Sequence, residues 1–327
     1  MTILVTGVAG FIGYHLARAL LERGETVLGL DSLSDYYDPA LKQARLDQLA
    51  PHECFRFARV DIADKAALER AAAGAEGVER IVHLAAQAGV RYSLIDPGAY
   101  VSANLVGHFN MLELARGLGG GLRHFVYASS SSVYGGNTKL PFAVADRVDR
   151  PVSLYAATKR AGELMTHAYA SMFGLTATGL RYFTVYGPWG RPDMSAYIFV
   201  AKILAGEPIP VFNFGDMSRD YTYIDDIIAG TQAALDRPPA PGGGEPAHRL
   251  YNLGNHRPEP LLRFIEVIEA ALGAKAKIDR QAMPPGDVKA TYADIDASRR
   301  DLGFAPKTMI EEGIPRFVDW YREYYRV

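Results

Sequence analysis

The 327 residues predict an α/β fold: a doubly wound parallel sheet with a smaller C-terminal domain. Three observations carry that expectation. Short β-rich runs alternate with helical patterns through the first half of the chain, as strands covered on both faces by crossover helices do. A glycine-rich turn, Gly7-Val8-Ala9-Gly10-Phe11-Ile12-Gly13, falls directly between the first strand and the first helix. After Arg181 the alternation gives way to shorter elements, introduced by the turn-rich Gly187-Pro188-Trp189-Gly190-Arg191-Pro192.

Composition narrows the function classes. A hydrophobic content of 49% supports a large core, and a net charge of -2 without a long basic run argues against nucleic acid or an anionic membrane as partner. The single cysteine, Cys54, excludes an internal disulfide and a cysteine-built metal cluster and suits a reducing compartment. Met1 runs straight into a strand-like segment, and no apolar stretch approaches the ~20 residues of a membrane span. A soluble cytoplasmic protein is expected. The eight histidines show no metal-ligand spacing, and His83, at a strand end, reads as a packed side chain.

Taken in order, residues 3–6 form the first strand, and residues 11–24 a helix with Ile12, Leu16, Ala19 and Leu20 on one face and Gly24 at its C-terminal cap. Glycines in the intervening turn let backbone approach a pyrophosphate, and the N–H groups opening the helix point at the anion. The spacing is G-x-x-G-x-x-G, one residue wider at its start than the usual dinucleotide fingerprint. Residues 26–30 form the second strand. It ends at Asp31, whose carboxylate suits adenosine ribose hydroxyls and repels a 2′-phosphate, which favours NAD over NADP. Residues 55–60 form the third strand, followed by Asp61-Ile62 where adenine contacts fall. Residues 80–84 form the fourth, followed by Ala85-Ala86, small enough for a cofactor to approach.

Residues 104–118 read as an amphipathic helix and 124–128 as the fifth strand, which ends in Ser129-Ser130-Ser131-Ser132. Ligands of open parallel sheets bind at the carboxyl ends of strands, so these hydroxyls are expected to face a ligand. The helix over residues 154–173 places Tyr155 and Lys159 four positions apart, on one face. A phenol with a pKa near 10 is a poor base, and a neighbouring ammonium and a nicotinamide cation would favour its ionised form. Residues 176–181 form the sixth strand and 250–253 return to the sheet. Residues 238–246 form a surface loop, and 309–325 a packing helix with Ile310, Ile314, Phe317 and Tyr321 on one side.

Together these residues resemble the extended short-chain dehydrogenase/reductase superfamily. The likeness continues through His83-Leu84-Ala85-Ala86, Arg181-Tyr182-Phe183-Thr184-Val185-Tyr186-Gly187-Pro188 and Arg219-Asp220-Tyr221-Thr222-Tyr223-Ile224-Asp225-Asp226. Within it the chain is most similar to UDP-glucuronate 4-epimerases, through Asp35-Tyr36-Tyr37-Asp38, Ala86-Gln87-Ala88-Gly89-Val90-Arg91-Tyr92-Ser93, Trp189-Gly190-Arg191-Pro192-Asp193-Met194 and Pro285-Gly286-Asp287-Val288.

That resemblance implies a Rossmann-type NAD-binding domain, residues 1–185 plus about 222–256, and a UDP-sugar domain, about 186–221 and 257–327. It implies a homodimer formed by the long helices near Asn104 and Tyr155. By the same likeness Tyr155 is the base, Lys159 binds nicotinamide ribose and tunes Tyr155, and Ser130 assists at the 4-hydroxyl. Gly7, Gly10, Phe11, Ile12, Gly13, Asp31, Asp61, Ile62, Leu84, Ala85, Ala86 and Tyr182 would complete the NAD site. Arg219 and Asp287 would hold nucleotide phosphates and uridine ribose.

The resemblance leaves several reactions open, because oxidation at C4 to a 4-keto sugar begins them all. A 4,6-dehydratase needs an acidic pair after the position of Ser130, and Ser131 and Ser132 cannot do that work. UDP-glucuronate decarboxylases resemble one another in a glutamate beside the catalytic hydroxyl, where this chain has serine. An epimerase needs no added acid. It interconverts UDP-glucuronate and UDP-galacturonate if donors hold the uronate carboxylate out of alignment for loss as carbon dioxide. Ser131, Ser132 and Arg191 are the candidates, with Arg91 secondary, since a planar guanidinium binds two oxygens at once. Thr184 stands where glucose-type epimerases resemble one another in having asparagine. UDP-glucose/GlcNAc-type 4-epimerase and UDP-glucuronate decarboxylase activities remain the alternatives.

Overall fold

The computed structural model describes residues 1–74 and 77–327. The strands are β1 (Thr2–Thr6), β2 (Thr26–Asp31), β3 (Phe55–Arg59), β4 (Val78–His83), β5 (His124–Ser130), β6 (Ala177–Tyr182), β7 (Thr184–Tyr186), β8 (Pro208–Val211), β9 (Ser218–Tyr223), β10 (His248–Leu253), β11 (Pro258–Pro260), β12 (Lys277–Arg280) and β13 (Ala290–Thr291). The helices are α1 (Phe11–Glu22), α2 (Pro39–Leu49), α3 (Lys65–Ala73), α4 (Pro97–Tyr100), α5 (His108–Leu118), α6 (Leu154–Phe173), α7 (Ser195–Leu204), α8 (Ile224–Leu235), α9 (Leu261–Leu272), α10 (Asp296–Leu302) and α11 (Ile310–Tyr325).

A seven-stranded sheet runs β10-β6-β5-β4-β1-β2-β3, and every neighbouring pair is parallel. The chain steps outward from β1 to β2 and β3, then crosses back to β4, so the strand order reverses between β1 and β4. Ligands of such sheets bind off the carboxyl ends of strands at that reversal. Alternate residues of β1 feed two cores. Ile3 and Val5 join α1 and α8 through Leu16, Leu20, Ile224 and Ile227. Leu4 joins α3 and α5 through Leu68, Met111 and Leu112 on the other face. Each fully buried aliphatic side chain contributes roughly 1.5–3 kcal/mol, which is why this sheet needs helices on both sides.

Helix ends follow local chemistry. Ser153 caps α6 by accepting the Ala156 N–H at 3.1 Å, and Gly174 ends it in the left-handed conformation (φ 68°). Gly24 (φ 78°) follows the α1 cap residue Arg23 in the same way.

The structure departs from the sequence reading at two places that matter for the site. The helix expected from residue 104 begins at Pro97, and Val101–Gly107 forms a π-helical turn. Asn104, on that turn, grips the backbone after β4: its Oδ1 accepts Gln87 N–H at 2.8 Å, and its Nδ2 donates to the Gln87 carbonyl and to Thr158 Oγ1 at 3.0 Å. The fifth strand does not stop at Ala128 but takes in Ser129 and Ser130, paired with Arg181 and Tyr182 of β6.

Beyond β6, β7 and β13 lie parallel to β9, and β11 antiparallel to it, in a small second sheet; β8 and β12 form a separate pair. Asp220 of β9 accepts the backbone N–H groups of Asn255, His256 and Ala293 at 2.5, 3.1 and 2.9 Å, tying that sheet to the chain leaving β10. Arg45 of α2 is fully buried and donates to the carbonyls of Ala9 (2.8 Å), Trp189 (2.8 Å) and Gly190 (3.2 Å). His15 of α1 bonds the Pro188 carbonyl at 2.9 Å. The turn before Arg191 is thereby fastened to the first glycine loop. Among the described residues no helix is long and apolar enough to cross a membrane, and no cluster of metal-ligating side chains occurs.

Candidate active site

A cavity of about 890 Å³ opens along the carboxyl ends of the central strands. Every candidate site residue read from the sequence lines it. Those assigned to the cofactor lie at a strand end, just after one, or near the start of a helix, whereas Thr184 opens β7, Arg219 lies within β9, and Arg191 and Asp287 lie on loops.

The glycine turn closes tightly. A Cβ on Gly13 would lie 2.0 Å from the Gly7 carbonyl oxygen, and one on Gly7 (φ 72°) would lie 2.7 Å from the Ala85 nitrogen. Only glycine lets α1 start so close to β1 and to the chain leaving β4. No side chain caps α1, and Gly10, Phe11, Ile12 and Gly13 line the cavity, so the positive end of the helix faces it. Asp31 accepts the N–H groups of Ala9 and Leu33 at 3.0 and 2.9 Å, one on each oxygen. A carboxylate oxygen has a second lone pair, so each can still accept a ribose hydroxyl. Asp61 holds its own turn through Ala63 N–H at 2.9 Å, and Ile62, Leu84, Ala85 and Ala86 give the neighbouring wall an apolar surface. These features fit a dinucleotide: an uncapped helix start for its pyrophosphate, a strand-end carboxylate for its ribose and an apolar slot for its base. Tyr182 also lines this region, with its hydroxyl bonded to Thr231 Oγ1 at 3.0 Å.

Tyr155 and Lys159 sit one turn apart on α6, facing the end of β5. Lys159 Nζ donates to the Ala128 carbonyl at 3.0 Å; burial, with help from the Arg191 charge, lowers its pKa to about 8. The Tyr155 phenol stands above its ordinary value because it is buried, while the Ser130 hydroxyl and the Arg191 charge pull the other way. In the protein without its cofactor, Lys159 is not among the groups that shift the phenol. The serines divide. Ser129 donates to Glu163 at 2.6 Å and belongs to the core, where Arg181 grips Glu163 through two bonds of 2.7 and 2.9 Å. This corrects the expectation that all four hydroxyls face a ligand. Ser130 accepts Ser132 N–H at 3.1 Å and donates to the Ser132 hydroxyl at 3.2 Å, while Ser131 and Ser132 open the following turn at the cavity wall.

The remaining candidates form two charged groups. Asp287 bridges Arg219 (2.9 Å) and Arg91 (3.2 Å), and the Arg91 guanidinium lies 4.1 Å from the centre of the Phe212 ring. Arg191, beside Thr184 in the lining, has both oxygens of Asp193 on its fork at 2.9 and 2.5 Å. Burial opposes ionisation of Asp193, yet Arg191 holds its carboxyl below the ordinary range. Tyr36 donates to the same carboxylate at 3.1 Å. The sequence reading quoted Asp193 and Tyr36 within longer runs and assigned neither a role, since nothing local signals a bond between residues 157 positions apart. Phe212 carried no signal beyond being an isolated aromatic.

The model of the NAD dependent epimerase/dehydratase family matches residues 3–254. The chain belongs to this family. The chain is similar to a probable UDP-glucuronate 4-epimerase of Rhizobium meliloti, 46% identical with 100% of this chain and 98% of that one covered. UDP-glucuronate 4-epimerase 4 of Arabidopsis thaliana is 46% identical over 99% of this chain and 76% of its own. The crystal structure of UDP-glucuronic acid 4-epimerase from Bacillus cereus, in complex with UDP-glucuronic acid and NAD, superposes with a TM-score of 0.88 at 34% identity, covering 99% and 100% of the two chains. The fold of that structure is therefore present over nearly the whole chain.

Proposed function

We propose that this protein interconverts UDP-glucuronate and UDP-galacturonate by epimerisation at C4, with bound NAD. The observation that carries the reading is the meeting of Tyr155, Lys159 and Ser130 with Arg191 in one cavity, where Ser131 and Ser132 replace the acids that a dehydratase requires. Full-length similarity to UDP-glucuronate 4-epimerases supports it over the neutral-hexose and decarboxylase alternatives.

NAD supplies the hydride acceptor and donor for C4. Gly7, Gly10 and Gly13 would cradle its pyrophosphate against the start of α1, and Asp31 would receive its adenosine ribose hydroxyls. Tyr155 takes the proton of the C4 hydroxyl and, once the 4-keto ring has turned over, returns it to the same oxygen, and Ser130 steadies that oxygen between the two events. Lys159 is fixed by the Ala128 carbonyl; it would bind the nicotinamide ribose and place a positive charge under the site. Arg219, Asp287 and Arg91 hold the UDP portion. Arg191, Ser131, Ser132 and Thr184 take the uronate carboxylate, keeping its bond to the ring out of line with the C4 carbonyl so that carbon dioxide is not lost.

Residues 1–185 with about 222–256 would serve the cofactor, and 186–221 with 257–327 the sugar nucleotide. The protein would act in the cytoplasm as a homodimer. Val106 and Phe109, on the π turn and α5, and Leu164 and Met172 on α6 are exposed although these helices pack together, and a second copy would cover them.

Incubation of the purified protein with NAD and UDP-glucuronate, followed by proton NMR of the sugar, tests the reading. Accumulation of UDP-galacturonate to a constant ratio is the expected result. Carbon dioxide with a pentose product, or turnover of UDP-glucose alone, would replace it with one of the alternatives.

A further inference from the structure

The carboxylate that Arg191 holds in this structure is the protein's own. Its Nε and Nη2 engage both oxygens of Asp193 at 2.9 and 2.5 Å, and Oδ2 is shared with the Tyr36 hydroxyl at 3.1 Å. The packing around the pair is close: a Cβ on Gly89 would lie 2.8 Å from the Tyr36 hydroxyl and 3.5 Å from Asp193 Oδ2. Tyr36, Arg191 and Asp193 line the same cavity as Tyr155.

A guanidinium with one edge filled by a carboxylate has lost most of its pull on a second. A sugar carboxylate seated on Arg191 would also lie beside the Asp193 charge, and like charges brought together away from water repel strongly. A neutral sugar with a hydroxyl at C6 escapes that repulsion and can donate to Asp193 instead. Maximal affinity for the sugar carboxylate would work against epimerisation. The ring has to turn over between losing and regaining the hydrogen on C4, which leaves and returns as hydride, and a carboxylate clamped without competition would anchor it in one orientation.

Resting on the uronate reading above, we propose that Asp193 is a resident competitor for Arg191: it frees the sugar carboxylate for ring rotation and sets the margin between uronate and neutral sugar. Tyr36 moderates that competition, because its hydroxyl occupies part of Oδ2. Asp193 is a positioning residue, acting through Arg191.

The two partners give variants of opposite sign. Calorimetric titration of the NAD-loaded protein with UDP-glucuronate, UDP-glucose and UDP is paired with steady-state turnover. Asp193→Asn keeps the side-chain shape and removes the charge. It should tighten UDP-glucuronate by about tenfold while UDP-glucose and UDP stay within about twofold, and kcat and KM for UDP-glucuronate should fall together. Tyr36→Phe leaves Oδ2 wholly to Arg191 and should weaken UDP-glucuronate by about threefold with no change for UDP. Weaker UDP-glucuronate binding by Asp193→Asn, or an equal shift for all three ligands, overturns the proposal. If melting curves show Asp193→Asn to be unfolded, Tyr36→Phe decides alone, and unchanged or tighter UDP-glucuronate binding overturns it. Failure of the wild-type protein to epimerise UDP-glucuronate is a separate result that removes the functional reading, and the affinity ratios do not depend on it.

Discussion

At the scale of single residues the proposed chemistry depends on one phenol and one amine. Tyr155→Phe keeps the ring and removes the proton carrier, so turnover should fall by at least about 10³-fold while NAD and UDP binding persist. Turnover near the wild-type rate would remove Tyr155 from its role. Lys159 sets the pH behaviour. Its pKa drops from the ordinary 10.5 to about 8 in the folded chain, so its charge is lost above pH 8. Turnover should fall through an apparent pKa near 8, and a rate that stays level to about pH 9.5 would show that the charge is not needed. Stability moves the other way. Between about 8 and 10.5 the unfolded chain holds the extra proton, so this group's contribution rises with pH over that window and is unfavourable below it. Melting curves along the same pH series therefore separate loss of rate from loss of fold.

At the scale of elements the sequence was informative where an element is long or ends at a ligand. The three glycines, Asp31, the serine run and the Tyr155/Lys159 spacing could be read because strand ends and helix faces impose fixed periods. The π turn at Val101–Gly107 could not, since apolar spacing does not separate it from an ordinary helix. Strands of two or three residues such as β13, β11 and β7 are too short for a period to emerge, and α2 carries a weak apolar stripe. The partners of Arg191 and Glu163 escaped for another reason: they are tertiary pairings. The π turn has an energetic role that can be tested. Asn104→Leu would remove the side-chain bonds to the N–H and C=O of Gln87 and place an apolar group against Thr158. A loss of about 1–3 kcal/mol is expected in denaturant unfolding, with turnover reduced because Gln87 follows Ala86 at the cavity wall. Unchanged stability would mean that water replaces Asn104 there.

At the scale of the whole molecule, two features join its parts. The exposed apolar residues of α5 and α6 invite a second copy, so Phe109→Glu combined with Leu164→Arg should convert the proposed dimer to monomers in light scattering; a particle mass unaffected by the pair would place the interface elsewhere. Within one chain, the seventh sheet strand, β10, arrives only at residues 248–253, and buried Arg45 finds two of its three carbonyl acceptors at residues 189 and 190. During synthesis the amino-terminal half therefore emerges from the ribosome with a cation it cannot yet satisfy and a sheet edge still open. The nascent chain has to wait for its own later residues, and a gene truncated after residue 185 should yield a product that chaperones retain, in place of a small stable nucleotide binder.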